Sequence, residues 1–338
     1  MTGKSNKPES TENIIVAADH GRLDVVTALL ENGADPNIVD EVGTSALHNA
    51  AKQGHWQIAR LLLEKNASPR IEDGNRATPL RLAVRASNKE IVRLLLECDP
   101  PTSERKQTEI YWHLHIAAGF GFTEIVQLFL DCDTPTLRGS GEETALHLAA
   151  AKGHHDVCDL LLKHDKSLTR SLWTRMTGPS LEVDSKDHAG NTPFAYAVEK
   201  GHNQTVDVFL RSYPELSKTA DRHKELHFHK AIRLGRIEMI QIFLSHGTDI
   251  EMKDQHGCRA LHVAVTSENR QYVTAATEIL QLLLAHGAAA DAKDKYGDTP
   301  EFYSNNPKTR MILRNHAATR PKVDSPLVPS APPPEYKA

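Results

Sequence analysis

Long apolar runs are missing from this chain of 338 residues. No stretch of about eighteen consecutive apolar residues occurs, so no membrane-spanning helix is expected. Met1-Thr2 lacks the glycine that N-myristoylation requires, and no charged-then-apolar leader opens the sequence, so a soluble protein with neither anchor nor signal peptide is expected. Cysteine is scarce: Cys98, Cys132, Cys158 and Cys258 are far apart and form no CxxC pair. Reduced thiols follow, and with them a cytoplasmic or nuclear setting. An excess of positive charge is also lacking, since 40 Lys+Arg face 44 Asp+Glu for a net charge of −4. Without a basic field to neutralise phosphates, nucleic acid is not an expected partner. Aromatics make up only 5% of the residues, which leaves packing to small and aliphatic side chains and favours helix on helix.

Catalytic fingerprints are absent too. There is no HExxH, no Gly-x-x-x-x-Gly-Lys loop, no Gly-x-Ser-x-Gly elbow and no Rossmann glycine pattern. The expectation is a protein that is not an enzyme and needs no cofactor.

What the chain does have is self-similarity. Residues 45–48, 78–81, 144–147, 192–195 and 259–262 read Ser-Ala-Leu-His, Thr-Pro-Leu-Arg, Thr-Ala-Leu-His, Thr-Pro-Phe-Ala and Arg-Ala-Leu-His. An alanine-rich stretch follows each, then a Gly-His type turn, then an apolar run whose residues, such as Ile58, Leu61 and Leu62, fall at helical spacing. Several such units end in a glycine stop followed by an Asp-x-x-Gly turn, as at Gly33 with Asp40 to Gly43, Gly247 with Asp254 to Gly257, and Gly287 with Asp294 to Gly297. Glycine suits a left-handed helix end and the Asp/Gly pair a tight hairpin tip. Unit starts near residues 12, 45, 78, 112, 144, 192, 226, 259 and 299 give steps of 33, 33, 34, 32, 48, 34, 33 and 40.

With that period and a Thr-Pro-Leu-His-x-Ala signature, residues 10 to 316 resemble the ankyrin family. The resemblance implies an all-α solenoid of about nine helix-turn-helix units with hairpin tips. Residues 1–10 are expected to be a flexible N-terminal segment, 11–316 the array, and 317–338 a proline-rich disordered tail. Both terminal units read as caps, the first with Glu12-Asn13-Ile14-Ile15 in place of the signature. The fourth and seventh units, Trp112-His113-Leu114-His115 and Leu226-His227-Phe228-His229, lose threonine and proline, which weakens their helix starts. The long steps imply insertions near 167–184 and near 267–275, the second either lengthening a helix or looping out.

Nineteen histidines raise a metal hypothesis, with His113/His115 and His227/His229 as the closest pairs and a histidine-metal hydrolase as the rival class of function. Repeat geometry accounts for most of them instead. His48, His115, His147, His229 and His262 hold the signature position, and His55, His154 and His202 the Gly-His turn, where structural hydrogen bonding is expected. No third clustered ligand accompanies them, so no metal is expected. The cysteines are expected to be packing residues.

In arrays of this kind the hairpin tips and first helices line one concave surface. The variable positions after the alanine pairs then nominate Arg85, Phe120, Lys152, Lys200, Arg233 and Leu234, with Phe120 and Leu234 as apolar residues at positions that should face solvent. Rotation of the irregular fourth and seventh units would bury them instead. Trp173 in the insertion and Tyr296 in the last tip are further contact candidates, whereas Trp56, at the start of a second helix, is expected in the core. The basic flanks favour an acidic partner.

The tail carries Pro333-Pro334-Glu335-Tyr336, the Pro-Pro-x-Tyr pattern that WW domains read from a polyproline helix; a proline-rich tail can also acquire it by chance. A monomeric interaction scaffold is therefore expected, with a protein partner on the array and a WW-domain protein, such as a ubiquitin ligase, at the tail. A masking inhibitor or retention factor with an inert tail is the alternative.

Overall fold

The structure is a computed structural model that describes residues 13–100, 104–132, 143–169, 182–268 and 273–319. Among these residues eighteen α-helices run in nine consecutive pairs, and no strand is present beyond the isolated bridges Val39–Ser45 and Ala220–Leu226. None of the described helices is long and apolar enough to cross a membrane. The chain divides into two compact bodies, one ending at Leu216 and the other beginning at Ser217, and it passes between them inside the short 3-10 helix Pro214–Lys218.

The N-terminal body holds six pairs: α1 (Ile14–Asp19) with α2 (Leu23–Glu31), α3 (Ala46–Gln53) with α4 (Trp56–Glu64), α5 (Pro79–Arg85) with α6 (Lys89–Cys98), α7 (Glu104–Phe120) with α8 (Thr123–Asp131), α9 (Ala145–Lys152) with α10 (His155–Thr169), and α11 (Pro193–Lys200) with α12 (Asn203–Ser212). First helices pack on first helices from α1 through α11, and second helices on second helices from α2 through α12. The C-terminal body repeats the arrangement with α13 (His227–Arg233) and α14 (Ile237–Ser245), α15 (Ala260–Glu268) and α16 (Val273–Ala285), and α17 (Pro300–Tyr303) and α18 (Pro307–Thr319).

The signature residues start the first helices by capping them. Ser45 and Thr144 each accept from the backbone N–H three residues on, while His48 and His147 return the favour through Nδ1 to the cap amide. Thr78 and Thr192 cap α5 and α11, with Pro79 and Pro193 at the first helical position where no N–H is missed. Asn13 caps α1 through Ile15 N–H, at 3.1 Å. The weak starts behave differently from one another. Leu226 begins α13 with no side-chain cap, whereas α7 does not begin at Trp112 at all: it starts at Glu104 and runs unbroken through the signature position.

Aliphatic residues such as Ile58, Leu62, Ile91, Val92 and Leu146 are fully buried, and small alanines let the layers approach. The expectation that aromatics contribute little is corrected here. Five of the eight phenylalanines, Phe129, Phe194, Phe209, Phe228 and Phe243, rank among the largest fully buried side chains. Phe194 meets Phe209 at 5.6 Å between centroids, and Phe228 meets Phe243 at 5.7 Å, so single pairs carry an aromatic contact at their centre. Scarcity in composition did not mean scarcity in the core.

Two further expectations meet the described residues in part. Both α15 and α16 lie beside the 40-residue step and have 9 and 13 residues, while the positions 269–272 between them fall outside the described residues. Most of the 167–184 insertion, including Trp173, also lies outside them. At the C-terminal end α18 continues to Thr319, past the expected array end at 316, and the remaining tail is outside the described residues.

Candidate functional site

Between successive helix pairs the chain forms a finger whose tip obeys one rule. An aspartate five residues before the first-helix cap folds the tip by accepting backbone amides. Asp40 accepts from Val42 (3.0 Å) and Thr44 (2.8 Å), and Asp73 from Asn75 and Ala77 (both 2.8 Å). Asp187, Asp221, Asp254 and Asp294 repeat the device with Asn191, Glu225, Cys258 and Asp298. Three of these aspartates are also latched from the helix behind them, since Tyr196 and Tyr303 donate to Asp187 and Asp294 at 2.6 Å and Lys230 donates to Asp221 at 3.0 Å. Burial works against the charge on Asp187, yet the Tyr196 hydroxyl and the Asn191 amide hold its carboxyl below the ordinary value.

Two neighbouring repeats break the rule. The equivalent positions are Gln107 in the fourth and Gly139 in the fifth. Without the aspartate, residues 104–111 of the fourth repeat are helix rather than finger, so α7 projects beyond the other first helices. Residue 139 lies outside the described residues. Along α7, Trp112 and Phe120 are 56% and 59% exposed, large values for side chains of this type. Trp112, Ile116 and Phe120, spaced four apart, share one helix face.

That face forms one wall of a groove of about 820 Å³. Its floor and opposite wall come from Leu148 and Lys152 of α9, Tyr196 of α11, Glu143, and the finger tip Asp187, His188 and Ala189. Rings dominate the lining: Tyr111 stands 6.0 Å from Trp112, and Phe120 stacks on Phe122 at 5.5 Å. The groove is polar at its ends. Glu143 and Asp187 lie towards the start of α9, and Lys152 is the last residue of that helix.

The nominated contact residues fall out as follows. Arg85, Phe120, Lys152 and Lys200 are the last residues of α5, α7, α9 and α11, one on each of four successively packed first helices. The three cations are exposed and none is in an ion pair among the described residues. Phe120 and Lys152 come together in the groove. Arg233 and Leu234 belong to the C-terminal body and depart from expectation. Arg233 is clamped by Glu225 through two bonds of 2.6 and 2.7 Å, so its charge is already spent, and Leu234 is a half-buried C-cap rather than an exposed side chain. Tyr296 is 68% exposed on the last finger, with Lys295 over its ring at 4.9 Å. Trp173, Pro333, Pro334 and Tyr336 lie outside the described residues. Trp56 corrects another expectation: it is 42% exposed, because the first residue of α4 leaves the stack before the buried stripe of Ile58, Ala59 and Leu62 begins. Sequence reasoning missed Trp112 as an exposed residue, although a tryptophan at the cap position was itself the signal.

The histidines have structural work. Nε2 of His48, His115, His147 and His262 meets a backbone carbonyl of the next repeat, on Ala77, Glu143, Asn191 and Asp298, at 2.9, 2.9, 3.1 and 3.2 Å. For His48, His147 and His262 the neutral tautomer satisfies both ring nitrogens, accepting the cap amide at Nδ1 and donating at Nε2, and burial lowers the pKa of all three. His115 instead faces carbonyls on both nitrogens, Tyr111 at 2.8 Å and Glu143 at 2.9 Å, and in its neutral form donates to one of them. Turn histidines bind the repeat before instead: His55 to Asp19, His154 to Gly119 and His202 to Ala151, at 3.2, 3.2 and 3.0 Å. His229 is the exception: it is buried, and its approach to the Met252 backbone is looser than the staples of the other signature histidines. Among the described residues no group of three or more His, Cys, Asp or Glu could hold a metal ion. Of the cysteines, Cys158 is buried and its thiol is pushed up in pKa by burial, while Cys98 is exposed at the end of α6 and does not pack as expected.

Compared with known families, the chain matches the model described as ankyrin repeats in three copies, over residues 14–104, 114–222 and 228–310. None of the curated proteins compared with the chain matches it.

Proposed function

Since the chain belongs to the ankyrin-repeat family, a family of protein-interaction modules, we propose that it is a non-enzymatic scaffold whose main docking face is the groove on α7. The observation that carries this reading is the exposure of Trp112 and Phe120 on one wall of a groove. An exposed aromatic face of this kind costs solvation and is what partner hot spots are made of. Lys152 lines that groove, and Arg85 and Lys200 end the first helices packed next to α7 and α9, which suits a partner segment carrying carboxylates. A helix stack of this kind is already ordered, so docking loses little entropy on the array side. The Pro333-Pro334-Glu335-Tyr336 motif adds a second end: a WW-domain protein recruited there, a ubiquitin ligase among them, would make the chain an adaptor.

The test is a quantitative capture series with the full chain, Trp112→Ser with Phe120→Ser, and Tyr336→Ala. The groove variant loses the array partner and keeps WW-domain proteins; Tyr336→Ala does the reverse. An array partner retained by the groove variant contradicts the groove reading, and WW-domain proteins retained by Tyr336→Ala contradict the adaptor reading and leave a masking scaffold with an inert tail.

A further inference from the structure

From the groove's geometry we infer that its occupant is an extended segment of the partner protein, apolar at alternate positions and followed by a carboxylate, which pairs with the backbone of the finger tip at His188. The inference rests on the groove being the docking face. It adds the conformation and chemistry of what docks.

The spacing of the α7 wall sets the conformation. Trp112, Ile116 and Phe120 are separated by four helical residues each, or about 6 Å along the axis. Alternate residues of an extended chain repeat about every 6.6 Å on one face. A strand laid along α7 therefore puts three successive same-side residues on Trp112, Ile116 and Phe120 in turn. A partner helix presents its apolar residues on a similar rise. However, its axis must stand about 8–10 Å from that of α7, and between its ends it has no free backbone group to offer the opposite wall.

That opposite wall has such a group waiting. In two fingers the amide directly after the tip aspartate donates to the carbonyl of the preceding finger: Gly74 to Val42 at 2.7 Å, and Lys295 to His256 at 3.3 Å. His188 is the equivalent residue after Asp187 and lines the groove, and among the described residues its N–H meets no acceptor. The finger itself is held firmly, because Asp187 is fixed by Asn191 and by Tyr196. A partner carbonyl can take the place that Val42 takes for Gly74, which is strand addition at a single rung.

Charge orients the segment. Lys152 ends α9 beside Phe120, whereas Glu143 and Asp187 lie at the other end. A carboxylate following the third apolar residue meets Lys152; placed before the first, it meets Glu143 and is repelled.

The test uses the full chain and two synthetic peptides of identical composition. One is acetyl-Ser-Val-Thr-Val-Thr-Val-Glu-Glu-amide; the other has its three valines and two glutamates reordered to helical spacing. The alternating peptide is expected to bind saturably, and at least about tenfold more tightly than the reordered one. His188→Pro removes the N–H while suiting the turn position after Asp187, so it is expected to weaken the alternating peptide by about tenfold. His188→Ala, which keeps the N–H, leaves binding unchanged, as does Gln255→Pro at the equivalent position of another finger. Circular dichroism establishes that each variant is folded.

Equal binding of the two peptides, or an undiminished His188→Pro variant, overturns the inference. So does tighter binding of the chain's own residues 320–338, offered as a third peptide, which would make the groove a site for proline-rich segments. Trp112→Ser keeps the failures apart. If the extended peptide fails but the array partner is still lost with Trp112→Ser, the docking face stands and only its occupant is wrong; if the partner is retained, the docking face falls as well.

Discussion

The second and third repeats and the fourth and fifth are built over the same kind of core, yet they present different surfaces. In the former, Asp40 and Asp73 fold the tips, and the tips bond one another through Gly74 N–H and Val42 C=O. In the latter the aspartates are replaced by Gln107 and Gly139, α7 grows past its cap position, and Trp112 and Phe120 are left facing solvent. Beneath, Phe129 and Leu146 are as buried as Ile58 and Leu62. The difference teaches that a repeat stack separates stability from recognition: the buried stripe fixes the stack, and the tip decides what is displayed above it.

The first way to break this comparison is in the core. Phe129→Ala below the groove and Leu62→Ala in a regular repeat are both expected to cost about 3–5 kcal/mol. Chemical denaturation of the two variants checks this, and a markedly cheaper Phe129→Ala means that the groove repeats are less well packed than they look.

Acid acts next, and unequally on the two bodies. Burial pushes His227 down to about 4 and lowers His229 and His262, all in the C-terminal body; the N-terminal body has His48 and His147, lowered by the same cause. Each group is neutral when folded and takes a proton more readily when unfolded. Stability is therefore full above the unfolded pKa near 6.5 and declines as pH falls from there towards about 4. His227 alone accounts for roughly 2 kcal/mol at pH 5. Hydrogen exchange at pH 7 and pH 5 is expected to show protection falling most in α13 to α15, and equal losses in α3 and α9 would contradict the assignment.

Smaller effects separate turn from tip. Gly153 ends α9 at a φ of 80°, and a Cβ there would stand 2.6 Å from the His202 ring, so Gly153→Ala is expected to cost about 1–3 kcal/mol. Asp73→Ala removes two amide bonds from a regular tip, for a loss of about 1–2 kcal/mol with no change in partner affinity. Trp112→Ser closes the series with a change within about 0.5 kcal/mol in stability and loss of the partner. A variant that loses both fold and partner would mean that the tryptophan packs.

Much of this was legible in the residues. The period, the caps at Ser45, Thr78, Thr144 and Thr192, and the histidine staples follow from local chemistry that acts within a few residues. What escaped was set by tertiary context. A cap position holding tryptophan was read as a weak helix start, whereas the helix begins earlier, at Glu104, in the repeat whose tip position holds Gln107 instead of aspartate. Arg233 looked free because its clamp, Glu225, lies on the preceding finger, eight residues away. Trp56 looked like core because apolar character was judged without the exact angle at which α4 leaves its turn. The exposure of Phe120 was legible because a position repeated in every unit can be compared across units.

The most direct test of the central claim is hydrogen exchange of the full chain with and without a captured array partner. Protection is predicted to rise along α7 from Trp112 to Phe120 and at His188 and Ala189, with no change at the fingers around Asp254 and Asp294. Protection confined to those last fingers, with α7 exchanging as it does in the free protein, would contradict the claim that the interrupted tips form the docking face.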